Sequence, residues 1–241
     1  MDRKHSSVNR ILEEAAYICG GCKEAAGDLE PTEGYKRRQV KELKQFATTN
    51  NLWLDFPNST ITYMAKGGEN EVFFNGTTSV IKLNNFDYAG DDLTNFFIRI
   101  EAHNLFFSNI PYEMIGFTYN SQQEFCAVLV QPYVRASREA TEDEIATYMK
   151  ALGFTMDYAD EFHNKEYEIF DAVPNNVLYG IDNKLYFIDT QIRLKTNAPH
   201  WCQLFLKHQI DSCNQQQTSQ RMIPLKGFSL KSDRTESDED D

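Results

Sequence analysis

The pattern that most restricts the fold is a succession of short strands around one helix, between about residue 59 and residue 134. The segments STITYMA, EVFF and TTSVIKL are rich in β-branched and aromatic residues, and the turns KGGEN and Asn75-Gly76 separate them. LTNFFIRIEAHNLFFSN then places apolar residues at helical spacing. MIGFTYN and EFCAVLVQPYV complete the pattern as two strands, the second so apolar that it should be central. The chain therefore predicts three antiparallel strands, a helix and two further strands.

Helices are predicted on both sides of this block. VNRILEEAAYIC, at 8–19, has helical periodicity and should end at the two glycines that follow, and GYKRRQVKELKQFATT, at 34–49, is rich in helix formers. Thr141 and Glu144 form a capping box before EDEIATYMKALGF, a helix that Gly153 should end. A last helix is predicted around HWCQLFLKHQI.

Charge and hydropathy narrow the classes of function. The net charge is −12, and −5 of it lies in the terminal SDRTESDEDD, which has six acidic residues and one Arg. An acidic chain disfavours a broad nucleic-acid-binding face, since phosphate backbones are bound by clustered Lys and Arg. The sequence has no long apolar run for a membrane span and no signal-peptide pattern at its start. We therefore expect a cytoplasmic protein that binds neither nucleic acid nor membrane and carries a disordered acidic tail.

The five cysteines form a sparse, odd set that does not predict a disulfide scaffold. CGGC at 19–22 has the spacing of half a zinc site, and the remaining ligands of such a site would be His200, Cys202, His208 and Cys213. These four lack a recognised ligand spacing, and the two glycines favour a helix end. Reduced thiols are the leading interpretation, and a zinc-stabilised interaction domain is the weaker alternative.

The stretch FDAVPNNVLYGIDNKLYFIDT, at 170–190, predicts a small hairpin with polar residues at both ends. Each Asp or Asn alone is typical of a turn, because its side chain bonds its own backbone. Phosphoryl transfer, however, requires a cation near the phosphates, oxygen ligands for Mg²⁺ and a carboxylate that orients the attacking hydroxyl. Side chains of these types occur in a suitable order along the chain: Lys82, Glu101, Asp171, Asn176 and Asp189.

These residues stand in motifs that resemble those of protein kinases. Asp171 and Asn176 have the spacing of a kinase catalytic loop, IDT at 188–190 resembles the metal-binding DFG segment, and VIK at 80–82 resembles the VAIK strand. The VIK, FDxxPxNVL and YFIDT pieces are most similar to the small kinase-like domains of polyvalent proteins from bacterial mobile elements. The resemblance covers about residues 59–195.

The resemblance implies a two-lobed α+β fold, with a five-stranded antiparallel sheet in the N-lobe and a reduced, mostly helical C-lobe. It divides the chain into an N-terminal helical extension at 1–55, an N-lobe at 56–134, a C-lobe at 135–222 and an acidic tail at 223–241.

The resemblance also implies an ATP-dependent and Mg²⁺-dependent phosphotransferase that acts on a protein or small-molecule hydroxyl. Asp171 would orient that hydroxyl, and Asn176 and Asp189 would hold the metal. Lys82 would bind the α and β phosphates, and Glu101 would fix Lys82 by an ion pair. Residues of the glycine turn and of the last strand are the other expected nucleotide contacts: Gly67, Gly68, Gln131 and Tyr133.

Several positions depart from the kinase pattern. The nucleotide loop has only GG, Ile169 and Phe170 replace the His and Arg of HRD, and Val173 and Thr190 replace a catalytic-loop Lys and the Phe of DFG. No APE motif follows Asp189. These departures favour a second interpretation, a catalytically inactive pseudokinase that serves as a nucleotide-binding or partner-binding module.

Overall fold

The computed structural model describes residues 10–26, 32–56, 61–158 and 160–195. The helices are α1 (Arg10–Ala26), α2 (Thr32–Thr49), α3 (Thr94–Phe106) and α4 (Glu142–Ala151). The strands are β1 (Thr62–Lys66), β2 (Asn70–Phe74), β3 (Ser79–Asn84), β4 (Glu113–Tyr119), β5 (Phe125–Pro132), β6 (Ala136–Glu139), β7 (Thr155–Tyr158), β8 (Glu161–His163), β9 (Tyr167–Phe170), β10 (Val177–Gly180), β11 (Leu185–Phe187) and β12 (Gln191–Leu194).

The predicted five-stranded antiparallel sheet is confirmed, with the strand order β1-β2-β3-β5-β4. β5 lies between β3 and β4 and is buried along most of its length, as its apolar sequence predicts. β1 forms an edge and is exposed throughout. The register places Lys82 of β3 between Val72 of β2 and Leu129 of β5, so the lysine enters the site from the middle of the sheet.

The turn between β2 and β3 is longer than the tight turn predicted from Asn75-Gly76. Asn75 Oδ1 accepts hydrogen bonds from the backbone amides of residues 77, 78 and 79, at 3.0, 3.1 and 3.0 Å. Gly76 follows with a φ of 81°, which a residue without Cβ adopts readily. The Asn side chain therefore organises a wider loop.

The two N-terminal helices share one hydrophobic core with α3 and the sheet. Leu12 of α1 and Leu43 of α2 are fully buried together with Phe96 of α3 and Phe117 of β4. The glycine end predicted for α1 is wrong, since the helix continues through Gly20 and Gly21 to Ala26. Glycine disfavours a helix by only about 1 kcal/mol relative to alanine, and burial of this helix face offsets that amount.

Buried Gln39 of α2 connects this helix to α1 and to the start of α3. Its Nε2 donates to the Cys19 carbonyl at 3.1 Å and to Asp92 Oδ1 at 2.8 Å. Its Oε1 accepts the Leu93 amide, immediately before α3, at 2.8 Å. The start of α3 is thus held by both preceding helices.

The CGGC sequence lies within α1, where Cys19 and Cys22 are buried free thiols. Within the described ranges no three His, Cys, Asp or Glu side chains gather as a metal site would require. The other ligands of the zinc alternative, His200, Cys202, His208 and Cys213, lie outside the described residues. The helix predicted around HWCQLFLKHQI and the acidic tail also lie outside them. No helix in the described part of the chain is long and apolar enough to cross a bilayer.

The prediction of a mostly helical C-lobe is wrong for the described residues of 135–195, which form one α-helix, α4, a 3-10 turn at Pro174–Asn176 and seven strands, β6 to β12. These strands make a three-stranded sheet, β11-β10-β6, and a four-stranded sheet, β12-β9-β8-β7. The local sequences favour strands, because Tyr167 and Ile169 of β9 are buried while Glu168 and Phe170 between and after them are less so.

The predicted helix at α4 is confirmed with its capping box. Thr141 and Glu144 exchange side-chain and backbone hydrogen bonds, and Gly153, with a φ of 86°, follows the helix end.

Candidate active site

Lys82 lies at the centre of a compact polar group. Its Nζ donates to the Ile188 carbonyl at 2.6 Å and to the Tyr112 hydroxyl at 3.0 Å. Asp189 Oδ1 lies 3.9 Å from the same nitrogen. The Tyr112 hydroxyl also donates to the Ile188 carbonyl, at 2.8 Å. The lysine is therefore joined to the residue that precedes Asp189 both directly and through Tyr112.

The surroundings keep this lysine charged although it is only 5% exposed. Burial by itself disfavours the ammonium form, but Tyr112, Asp189 and Glu69 favour it, and the pKa of Lys82 lies above its ordinary value. A permanently charged cation at this depth is suited to binding an anionic group.

The hairpin β10–β11 brings its two polar ends together. Val177 pairs with Phe187, and the Ile188 amide donates to the Asn176 carbonyl at 2.9 Å. Asn176 Nδ2 donates to the Asp171 carbonyl at 3.0 Å. A single chain of hydrogen bonds thus connects the start of the hairpin with the residue before Asp189.

Asp171 has a φ of 59°, in the left-handed region. Asp tolerates this region better than most residues, and such backbone strain is concentrated at functional sites. Burial raises the pKa of Asp171, the hydrogen bond with Asn176 lowers it, and the charges of Asp189 and Asp160 raise it further, so that the net change is upward. Neighbouring carboxylates that repel each other provide the oxygen donors that a divalent cation binds.

The Lys82–Glu101 pair is a wrong prediction. Lys82 contacts Tyr112, Ile188 and Asp189, and Glu101 Oε1 is buried with no hydrogen-bond partner in the described part of the chain. Successive helical residues are turned by about 100°, so Glu101 points about 200° away from Arg99, which faces the site. Glu101 instead lies in the field of Glu13 on α1, and burial first and Glu13 second raise its pKa to about 7.

The glycine turn joins β1 to β2. The Gly67 amide donates to the Asn70 carbonyl at 2.8 Å. A Cβ at Gly68 would lie 2.0 Å from the Tyr88 hydroxyl oxygen, the tip of an exposed side chain, so a larger residue here would displace the Tyr88 ring. The contacts with phosphate groups expected of Gly67 and Gly68 stay predictions.

Gln131 and Tyr133 differ in what they offer a nucleotide. Gln131 is buried and its Nε2 donates to the Ile110 carbonyl at 3.1 Å, so the predicted nucleotide contact of Gln131 stays a prediction. Tyr133 is 42% exposed and lines a groove of about 350 Å³ with Arg135 and Tyr186. Neither Lys82 nor Asp189 lines that groove, so the nucleotide contact at Tyr133 also stays a prediction.

Sequence reasoning missed four polar residues of the site: Glu69, Arg99, Tyr112 and Gln191. Tyr112 takes the position beside Lys82 that was assigned to Glu101. Arg99 donates from Nη2 to Glu69 Oε2 at 2.9 Å, and from Nη1 to Gln191 Oε1. The side chains of Glu69 and Arg99 are 5% and 8% exposed. The only sequence signal that could have indicated a buried polar residue is its position in an otherwise apolar stretch. Of the four, only Arg99 has such a position.

The features typical of a kinase-like domain are a five-stranded antiparallel sheet with a buried lysine and a hairpin after which Asp189 lies 3.9 Å from that lysine. A family model described as Serine/Threonine/Tyrosine Kinase found in polyvalent proteins matches residues 36–196, well over half of the chain. The chain belongs to this family, and the resemblance stated from its motifs is confirmed. No match was found among curated proteins or among solved structures.

Proposed function

We propose that this protein is a phosphotransferase that uses ATP and Mg²⁺ and acts on a hydroxyl of a protein or a small molecule. The observation that carries the proposal is the 3.9 Å approach of Lys82 Nζ to Asp189 Oδ1. In a kinase-like domain this approach supports a phosphate-binding role for Lys82 and a metal-binding role for Asp189. The hydrogen bonds from Ile188 through Asn176 to Asp171 extend the same group to the proposed base.

Each residue has a role that follows from its chemistry. Lys82 binds phosphate oxygens as a buried cation. Asp171 accepts a hydrogen bond from the attacking hydroxyl and orients it. The Asp189 carboxylate, whose side chain is 45% exposed, and the Asn176 side-chain oxygen are suited to hold Mg²⁺, since it prefers oxygen ligands. When bound, the metal ion neutralises charge on the phosphates during transfer.

The decisive experiment replaces Asp189 by Asn in the full chain. Asp189→Asn should abolish ATP-dependent phosphate transfer, measured with radiolabelled ATP, and should leave the unfolding temperature almost unchanged because the side chain is partly exposed. Asp143→Asn, at an exposed position in the first turn of α4, is the matched control and should keep activity. Transfer that survives Asp189→Asn would remove the metal-binding assignment.

One observation favours the pseudokinase alternative. The Lys82 ammonium is already hydrogen-bonded to Ile188 and Tyr112, and it lacks the glutamate partner expected of a kinase lysine. A nucleotide would then bind without productive placement of its phosphates. Thermal unfolding with ATP, with and without Mg²⁺, separates the two functions, since ligands that bind the native state raise the unfolding temperature. Stabilisation without any transfer would support the binding module.

A further inference from the structure

We propose that Arg99 is a positioning residue of this site. With Glu69 and Gln191 it forms a buried tie that fixes the glycine turn, α3 and the strand after Asp189 relative to one another. The inference rests on the proposed phosphotransferase function. It concerns the hydrogen bonds among Arg99, Glu69 and Gln191, which are separate from the predicted Lys82–Glu101 pair.

The three side chains form a closed network. Arg99 Nη2 donates to Glu69 Oε2 at 2.9 Å, and Nη1 donates to Gln191 Oε1. Gln191 Nε2 faces the other carboxylate oxygen, Glu69 Oε1, at 3.4 Å. Each member therefore contacts both others, and a guanidinium fork fixes direction as well as distance.

The members are placed where small movements reach the proposed catalytic groups. Glu69 directly follows Gly67-Gly68, and its carbonyl accepts the Asn85 amide at 3.0 Å after β3. Gln191 lies two residues after Asp189 and pairs in β12 with Phe170 of β9, which directly precedes Asp171. The backbone of Gln191 is thus close in sequence to Asp189 and pairs with the residue before Asp171.

The orientation of α3 makes this network one of the links between the helix and the site. Arg99 and His103 are one turn apart, and both line a small cavity that Glu69, Asp189 and Thr190 also line. Glu101 lies on the opposite side. The helix contacts the segment after Asp189 through the hydrogen bond between Arg99 and Gln191, whereas the sequence predicted an ion pair between Glu101 and Lys82.

A buried ion pair is weak as a source of stability, because desolvation offsets most of its attraction. Replacing both partners by apolar residues of similar size is often neutral for folding. Such a double replacement distinguishes a positioning role from a structural one. It removes the orientation imposed by the hydrogen bonds but keeps the packing, so it should affect phosphate transfer more than stability.

The test uses the full chain with two variants. Arg99→Met combined with Glu69→Leu removes the tie, and Gln191→Leu removes its third member without leaving a buried charge unpaired. The exposed α1 pair Arg10–Glu14, changed to Arg10→Met with Glu14→Leu, is the matched control. We expect kcat to fall about 10-fold to 100-fold in the tie variants, as misplacement of reacting groups by about 1 Å does, with KM for ATP changed less than about threefold.

Hydrogen exchange gives a second readout that does not require turnover. The Ile188 amide, bonded to the Asn176 carbonyl, should exchange about 10-fold faster in Gln191→Leu than in the wild type or the control, because local opening becomes easier. A folded Gln191→Leu variant with unchanged kcat, or a loss confined to KM, would overturn the positioning role. If the wild type transfers no phosphate, the proposed function fails, and the exchange rate alone decides whether the tie exists.

Discussion

Replacing Glu101 by Gln should stabilise the protein at alkaline pH. Glu101 is turned toward α1, its Oε1 is buried without a hydrogen-bond partner in the described residues, and burial together with Glu13 raises its pKa from 4.5 to about 7. A carboxylate in this position is therefore ionised only against the desolvation penalty and the repulsion of Glu13.

The sign and size follow from the two pKa values. Between pH 4.5 and about 7 the folded state binds a proton that the unfolded state has released, so stability falls as pH rises through this window and is level above it. At about 1.4 kcal/mol per pH unit the loss is at most about 3 kcal/mol at pH 8. The Glu101→Gln side chain cannot ionise, so the variant should recover most of the lost free energy of unfolding at pH 8 and little at pH 4.5.

Urea unfolding at pH 4.5 and pH 8 measures the effect as a change in the free energy of unfolding. The control is Glu113→Gln, at an exposed glutamate on β4, which keeps Glu101 and should therefore lose stability between pH 4.5 and pH 8 as the wild type does. Phosphate transfer should persist in Glu101→Gln, because Glu101 does not contact Lys82. The reasoning is refuted if the variant is no more stable than the wild type at pH 8, or if transfer is lost while the fold is retained.

Two other substitutions test the site and the fold. Tyr112→Phe removes the hydroxyl between Lys82 and the Ile188 carbonyl, and it should lower the free energy of unfolding by about 1 to 2 kcal/mol and reduce phosphate transfer; unchanged urea unfolding and transfer would contradict this placement. Thr141→Ala removes the cap of α4 and should destabilise the protein by about 1 kcal/mol with transfer unchanged; Thr141→Ser, which keeps the hydroxyl, should restore stability.

The first sheet, α3 and the hairpin were predictable because each rests on a pattern within one short segment. β5 is apolar in seven of its eight residues, and the capping box of Thr141 and Glu144 marks the start of α4. The four-stranded sheet β12-β9-β8-β7 was not predicted. Its strands have only three or four residues, too few for a period of two to be recognised, and β12 pairs with β9 across the whole β10–β11 hairpin.

The error at Glu101 has a different origin. Helical periodicity shows which residues share a face, but in a helix that is buried on nearly all sides it does not reveal which face meets the sheet. α3 is packed on both sides, by α1 on one and by the sheet on the other, and its residues Phe96, Phe97 and Ile100 are all buried. Arg99 and Glu101 were thus equally eligible to face the site, and only the packing of α1 decides between them.

This packing bears on how the orientation of α3 is maintained. From outside, Gln39 fixes the start of the helix through Asp92 and Leu93, and Leu12 of α1 shares its core. From inside, Arg99 holds it to Glu69. A helix restrained on both faces does not depend on an ion pair with Lys82 for its position. The family match begins at residue 36, within α2, which agrees with α2 being part of the domain that positions the site.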